Sequence, residues 1–254
     1  MTIAGTARRA AYAALQKARI VPNRWSVGNA FKVLEFRALL RGANLEQHHT
    51  VLDLGCGKGI QTQLLAPGCG KVVGLDVSEN AIAEARRLVK LSAMRHKIEF
   101  VCGSIEGAGL QTASFDHVFS FSVLEHIENL PAVLRELARV LRPGGKLHLS
   151  ADSLASIKNP AFVARHREDH SVVQYFTADS LARQLEFAGF EVRAIFPIFT
   201  SPLARQAFED RIEKGGPRWL PGKMLLCRQL RESEIRNGSS EGVMLIARAC
   251  RLMN

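Results

Sequence analysis

What this chain lacks narrows it before any motif is read. Its five cysteines, Cys56, Cys69, Cys102, Cys227 and Cys250, are an odd number, widely scattered, and include no CxxC pair. That excludes a disulfide framework and a cysteine zinc site, and reads as reduced thiols in a cytoplasmic protein. Aromatic residues make up only 7% of the chain, too few for an evident base-stacking surface. No apolar run reaches bilayer length. The opening MTIAGTARRAAYAALQKARI holds no continuous apolar stretch or cleavage site of a secretory signal. It faintly resembles a transit peptide and reads better as a basic amphipathic helix. Internal repeats and low-complexity segments are absent.

What is present is enough apolar material for one full α/β domain with attachments: 254 residues, 47% of them hydrophobic. The net charge of +10 is unevenly spread. Residues 1–49 carry eight Lys/Arg against two Asp/Glu, and residues 199–254 carry an excess of four, whereas the stretch between is nearly balanced. Basic flanks attract anionic partners such as phospholipid, nucleic acid or acidic glycan, or serve solubility alone.

The rhythm of the chain changes near residue 50. Before it, Ala10, Ala14, Leu15 and Ala18 fall at helical spacing, Pro22–Asn23 interrupts, and Phe31, Leu34, Leu39 and Leu40 resume. After it, the apolar runs Val51–Leu54, Val72–Leu75, Ile98–Cys102, His117–Phe121 and Lys146–Leu149 alternate with helical patterns at 59–66, 79–92 and 131–141. Such alternation predicts a parallel sheet covered on both faces, with ligands at the edge formed by the strand C-termini. Residues 151–176 read as an insertion. A helix over Thr177–Ala188 and a strand over Glu191–Pro197 follow, then a second insertion at 199–240 and a closing strand Val243–Ala249.

Chemistry enters at Val51-Leu52-Asp53-Leu54-Gly55-Cys56-Gly57-Lys58-Gly59, a buried strand running into a three-glycine turn and a helix. Glycine is required where backbone turns with positive φ or approaches a ligand closely. Asp76, at the end of the next strand, is placed to accept both hydroxyls of a ribose. Nicotinamide enzymes share this layout. Two details favour S-adenosylmethionine: the spacing is GxGxG, and Asp53 precedes the turn. That carboxylate would repel a pyrophosphate and attract a sulfonium or ammonium group.

VLDLGCGKG, VVGLDVSE, FDHVFSFSVLEHI and LARVLRPGGKLHLS, in this order and at these distances, resemble the class I (Rossmann-like) S-adenosylmethionine-dependent methyltransferases. The likeness is to the type 11 branch acting on small molecules and lipids, and it spans about residues 45–150. The resemblance implies a Rossmann-like seven-stranded α/β sheet in the order 3-2-1-4-5-7-6, strand 7 antiparallel, flanked by helices. The organisation would be an N-terminal helical segment (1–45) and a methyltransferase domain (46–254) carrying the two insertions. It implies that Gly55, Cys56 and Gly57 line the methionine moiety with Asp53 near it. Asp76 would hold the ribose and Val77 would pack on the adenine. Ser104 and Ile105 would occupy the adenine-contacting position, where many relatives have Asp in place of Ser104. Ser120, Phe121 and Ser122 would end the fourth strand beside the methyl donor.

Methyl transfer from a sulfonium is an in-line displacement, and orientation alone can be worth about 7–11 kcal/mol. A base is needed only for a hydroxyl or protonated amine, and His126 in LEHI is the candidate catalytic residue, alternatively a loop-orienting one with Glu125. His166 and His170 in HREDH lie one helical turn apart, without a third ligand at diagnostic spacing, so no metal is expected. Substrate contact from that insertion is the better reading. Tyr175 and Phe176 either close the pocket or are core. His48 and His49 are expected to be solvated. The acceptor is expected to be a small molecule, glycan or lipid. Nucleic acid is disfavoured by the absence of Asn/Asp-Pro-Pro-aromatic and Pro-Cys signatures, which leaves an RNA methyltransferase as a minor alternative. The basic N-terminus and the Trp219, Leu220, Met224, Leu225 stretch suggest peripheral contact with an anionic membrane, or ordinary packing. A catalytically silent S-adenosylmethionine-binding protein and a nicotinamide-dependent oxidoreductase stay open as readings from other classes.

Overall fold

The computed structural model describes residues 29–90, 92–215, 220–236 and 239–253. The helix expected around Ala10–Ala18, the break at Pro22–Asn23 and Trp219 lie outside them. In chain order the principal elements begin with α1 (Ala30–Leu40), β1 (Thr50–Leu54), α2 (Ile60–Leu65), β2 (Lys71–Asp76) and α3 (Glu79–Val89). Next come β3 (Ile98–Cys102), β4 (Phe115–Phe121), α4 (Leu130–Val140), β5 (Leu141–Asp152) and α5 (Pro160–Asp169). The chain continues with α6 (Ala178–Phe187), β6 (Phe190–Ile198), α7 (Pro202–Lys214), α8 (Leu220–Arg236) and β7 (Met244–Arg251).

The seven strands form one sheet in the order β3-β2-β1-β4-β5-β7-β6. The first five are parallel, and β7 runs antiparallel between β5 and β6. Strands covered on both faces need no polar alternation, and β1 and β4 accordingly read as near-continuous buried runs. Helix starts are fixed locally. The Ser78 side chain accepts from the Ala81 N–H, the Asn129 side chain caps a helix with Pro in its first turn, and Thr177 forms a capping box with Ser180.

β5 is longer than the apolar run Lys146–Leu149. It begins at Leu141, pairs Phe115 with Leu141, and bulges before His117 meets Lys146. Arg142-Pro143-Gly144-Gly145 thus ends α4 and lies inside an irregular strand start, where a bulge tolerates proline and glycine.

One face of the sheet is packed by Leu134 and Leu137 of α4 and Leu181 and Leu185 of α6. On the other, Phe36 and Leu39 of α1 and Leu65 of α2 meet Val51, Val72 and Phe119. A further cluster joins Phe31 and Val33 of α1 to Phe162 of α5, Phe208 of α7 and Leu230 of α8. Both insertions therefore fold against α1 over the strand C-termini. His48 is exposed, but His49 is half-buried, its ring 4.8 Å from that of His117, because the chain turns into β1 beside that strand.

Candidate active site

The C-terminal ends of β1, β2 and β4 build the first half of the site. Gly55 (φ 69°) and Gly57 (φ 52°) take backbone conformations that side chains rarely adopt. A Cβ at Gly55 would run into the Val123 side chain, whereas at Gly57 nothing lies within 4 Å. The Gly57 N–H donates to Asp76 Oδ2 at 2.8 Å and the Ser78 N–H to Oδ1 at 2.9 Å, so backbone aims this carboxylate. Each of its oxygens keeps a lone pair for a further donor. Asp53 is 1% exposed; Thr62 Oγ1 donates to its Oδ2 at 2.6 Å, while Oδ1 is buried without a partner. Burial pushes its carboxyl up to about 7, against the pull of the Thr62 hydroxyl.

The other expected residues divide by position. Val77 is 72% exposed at the end of β2, an apolar surface that a flat ligand would cover. Ser104 is exposed, its Oγ accepting from the Gly107 N–H, while the Ile105 side chain is buried in the core beneath it. Cys56 is buried and its thiol is pushed up by burial and by Asp53 and Asp76. Ser120 is fully buried with an unpartnered hydroxyl, and Phe121 points into the core against Phe36, ring centroids 5.6 Å apart.

Ser122 (φ 54°) leads into the second half, a cavity of about 320 Å³ lined also by Lys32, Glu35, Glu125, His126 and Asp152. Glu35, on α1, is 0% exposed. Its Oε1 accepts from Ser150 Oγ at 2.6 Å, Ser122 Oγ at 2.9 Å and Lys32 Nζ at 3.2 Å, and Lys32 Nζ lies 2.9 Å from Oε2. Lys32 also donates to Ser122 Oγ at 2.8 Å. This network ties α1 to the ends of β4 and β5. Glu125 is 0% exposed with neither carboxylate oxygen partnered. Burial and then Asp152 hold its carboxyl well above the usual range, and burial pushes Asp152 up to about 6. His126 is exposed at the cavity, its Nδ1 3.3 Å from the Ser171 carbonyl. His166 of HREDH is buried, its Nδ1 3.0 Å from the Tyr175 hydroxyl, and burial pushes it down to about 4. Phe176 is core. Among the described residues no three His, Cys, Asp or Glu side chains group to hold a metal ion. A larger surface hollow of about 420 Å³ lies between α4 and α6 and is lined by no carboxylate, thiol or imidazole.

Sequence reasoning left out Lys32, Glu35, Ser150, Asp152 and Arg211. One signal was available: Phe31, Glu35 and Leu39 recur every four residues, so a carboxylate sits on the apolar stripe of α1.

A glycine turn entered from a central parallel strand, two acids at adjacent strand ends and the 3-2-1-4-5-7-6 order together define a Rossmann-like methyltransferase. The sequence profile of the methyltransferase domain family matches residues 52–149. The ubiquinone biosynthesis O-methyltransferase of Idiomarina loihiensis is 30% identical over 194 residues, 70% of this chain and 79% of that protein. Geranyl diphosphate C-methyltransferase from Streptomyces coelicolor superposes with a TM-score of 0.64 at 12% identity, over 87% of this chain and 78% of that one. The [4+2]-cyclase SpnF superposes with a TM-score of 0.63 at 19% identity, over 86% and 80%. The chain belongs to the class I S-adenosylmethionine-dependent methyltransferases, in the type 11 branch. Its residues fit that cofactor: the buried, unpartnered Asp53 Oδ1 suits a cationic group, and the open side of Gly57 leaves room for it. Among the described residues no helix is long and apolar enough to cross a membrane.

Proposed function

We propose that this methyltransferase acts on an oxygen or nitrogen of a small-molecule, glycan or lipid acceptor seated in the cavity beyond Ser122. The observation that carries the reading is the continuity of the two halves: β4 supplies buried Ser120 beside the Asp53 turn and, two residues on, Ser122 at the cavity. When bound, S-adenosylmethionine supplies an electrophilic methyl group on a sulfonium. Gly55, Cys56 and Gly57 present backbone to its methionine part, and Asp53 faces the positive charge. Asp76 accepts the ribose hydroxyls, Val77 covers the adenine, and Ser104 with the Ile105 backbone borders its edge. The core position of the Phe121 ring restricts that residue to a backbone contribution, with Ser120 and Ser122 on either side.

His126 serves as base for a hydroxyl or protonated amine. Its Nδ1–H directed at the Ser171 carbonyl leaves Nε2 free to accept a proton, which supports this role. The described part of the N-terminal segment (29–45) acts with the insertions at 151–176 and 199–240 as one acceptor-side cap on the 46–254 domain, supported by the shared packing of α1, α5, α7 and α8.

The test is calorimetric titration with S-adenosylmethionine, followed by transfer of labelled methyl to fractionated extracts. Asp76→Ala is expected to lower donor affinity at least tenfold. His126→Ala is expected to retain donor binding and lose about 10²–10⁴-fold in turnover. Absence of donor binding in the unmodified protein would refute the reading.

A further inference from the structure

The acceptor cavity holds more buried acid than it has cations to match. Glu35 is answered by Lys32, whose ammonium is already committed to Glu35 and Ser122. Arg211, on α7, reaches the same cavity, is held down by burial, and feels Glu35 as its opposing charge. Glu125 and Asp152 also feel the Lys32 charge, but among the described residues neither has a lysine or arginine within ion-pair distance. Neither Glu125 oxygen meets a donor. The nearest base to Asp152 is His166, whose Nε2 stands 3.9 Å from Oδ2. Burial first, then His170 and His126, keep that ring neutral at physiological pH, so it offers no counter-charge. His170 and His126 also line the cavity.

A buried carboxyl without hydrogen bonds costs free energy until a donor reaches it, and a pair of them is satisfied best by a cation with several N–H groups. The lining is not acidic alone: Phe31, Phe208, Ile212 and Met244 border the same space, Met244 as the cross-strand neighbour of Asp152. A ligand that matches both kinds of lining is small and amphipathic, with an apolar body and a positively charged nitrogen.

We propose that the methyl acceptor carries an amine, bound as its ammonium against Glu125 and Asp152 with its hydrocarbon part on Phe31, Phe208 and Met244. The assignment rests on the reading of this cavity as the acceptor site. It concerns recognition, and holds whether the methylated atom is that nitrogen or a neighbouring hydroxyl. Glu125 and Asp152 then select the acceptor by charge, and His126 remains the group that takes the proton.

The experiment compares phenethylamine with phenethyl alcohol, two probes of equal length differing in charge. Both are titrated at pH 7.5 into protein saturated with S-adenosylhomocysteine, and into protein without it. Phenethylamine is expected to bind at least tenfold more tightly than the alcohol. Glu125→Gln and Asp152→Asn are each expected to erase most of that preference, leaving alcohol affinity within threefold and S-adenosylhomocysteine affinity unchanged. Equal binding of the two probes, no amine binding, or variants that weaken both probes alike would overturn the proposal. Because the amide variants keep shape and hydrogen-bonding capacity, a folding defect is separable by their thermal transitions, and the amine-to-alcohol ratio of the unmodified protein needs no variant. Failure of S-adenosylhomocysteine to bind counts against the donor site alone, since the probes are also read without it.

Discussion

Replacing Asp53 by asparagine tests whether the donor pocket is built around a cation. In the ligand-free fold the carboxyl is pushed from 3.8 to about 7, chiefly by burial, with one oxygen held by Thr62 and the other unpartnered. The sign follows from proton uptake. Between pH 3.8 and 7 the unfolded chain has released a proton that the folded chain retains, so stability falls across that window and levels off above it. A rise of three pH units at about 1.4 kcal/mol each corresponds to about 4 kcal/mol at pH 8. Asparagine avoids that penalty but leaves its own amide group imperfectly bonded, at a cost of about 1–3 kcal/mol. The variant should therefore be more stable than the parent by about 1–3 kcal/mol at pH 8, and no more stable near pH 4. Donor binding should move the other way. Affinity of the parent for S-adenosylmethionine should climb up to tenfold per pH unit from pH 5.5 to 7, as bound cation displaces the Asp53 proton, while the variant stays flat and weaker. Chemical denaturation at pH 4 and 8 and calorimetry at pH 5.5 and 7 read both effects. A variant less stable at pH 8, or one with the parent's pH-dependent affinity, would refute the reasoning.

The two turn glycines should separate packing from binding. Gly55→Ala forces a Cβ into Val123 at positive φ and should cost about 2–4 kcal/mol of stability. Gly57→Ala meets open space, so it should cost only about 1 kcal/mol yet weaken donor binding at least tenfold; equal stability losses with normal affinity would contradict this. Beneath the site, His117 Nδ1 and His148 Nε2 lie 3.1 Å apart, and burial first holds the rings down to about 4 and about 3. Here the unfolded chain takes up protons below pH 6.5 that the fold refuses, so stability is full above that pH and falls toward pH 3–4. The double change His117→Leu with His148→Leu should lower the acid-unfolding midpoint by roughly half to one pH unit and be nearly neutral at pH 8, an unchanged midpoint counting against it.

The parts of the molecule legible in the sequence are those whose physics is local. Strands buried on both faces leave apolar runs, and all five parallel strands appear at the expected places, with β4 opening two residues earlier at Phe115 and β5 at Leu141. The strand order came from the resemblance, because an apolar run carries no information about its neighbours. The turn that builds the candidate donor half was readable since the demand of Gly55 and Gly57 for positive φ shows as glycine. The acceptor half was not. Glu35 meets Ser122 across 87 residues and Ser150 across 115, and no local pattern announces such a convergence. The HREDH segment was read as reaching toward the acceptor, and His166 and His170 both line the cavity, but the burial of His166 against the Tyr175 hydroxyl has no local signal in the sequence.

Charge distribution links the two halves. Elsewhere in the fold, carboxylates are paired and held low: Asp116 by Arg142 and the Thr50 N–H against its partial burial, Asp210 by Lys214, Glu241 by Lys158. At the strand C-termini, Asp53, Glu125 and Asp152 are all pushed up by burial. A shortage of cations does not explain the contrast, because the chain carries ten more basic than acidic side chains. Among the described residues, no lysine or arginine stands within ion-pair distance of these three acids. Had Lys or Arg neutralised them internally, a cationic ligand would have to displace an existing ion pair. Left uncompensated, they lower the stability of the empty fold, and under the proposed reading that free energy would return as affinity for a bound cation, which is how a preorganised electrostatic site differs from a merely acidic surface.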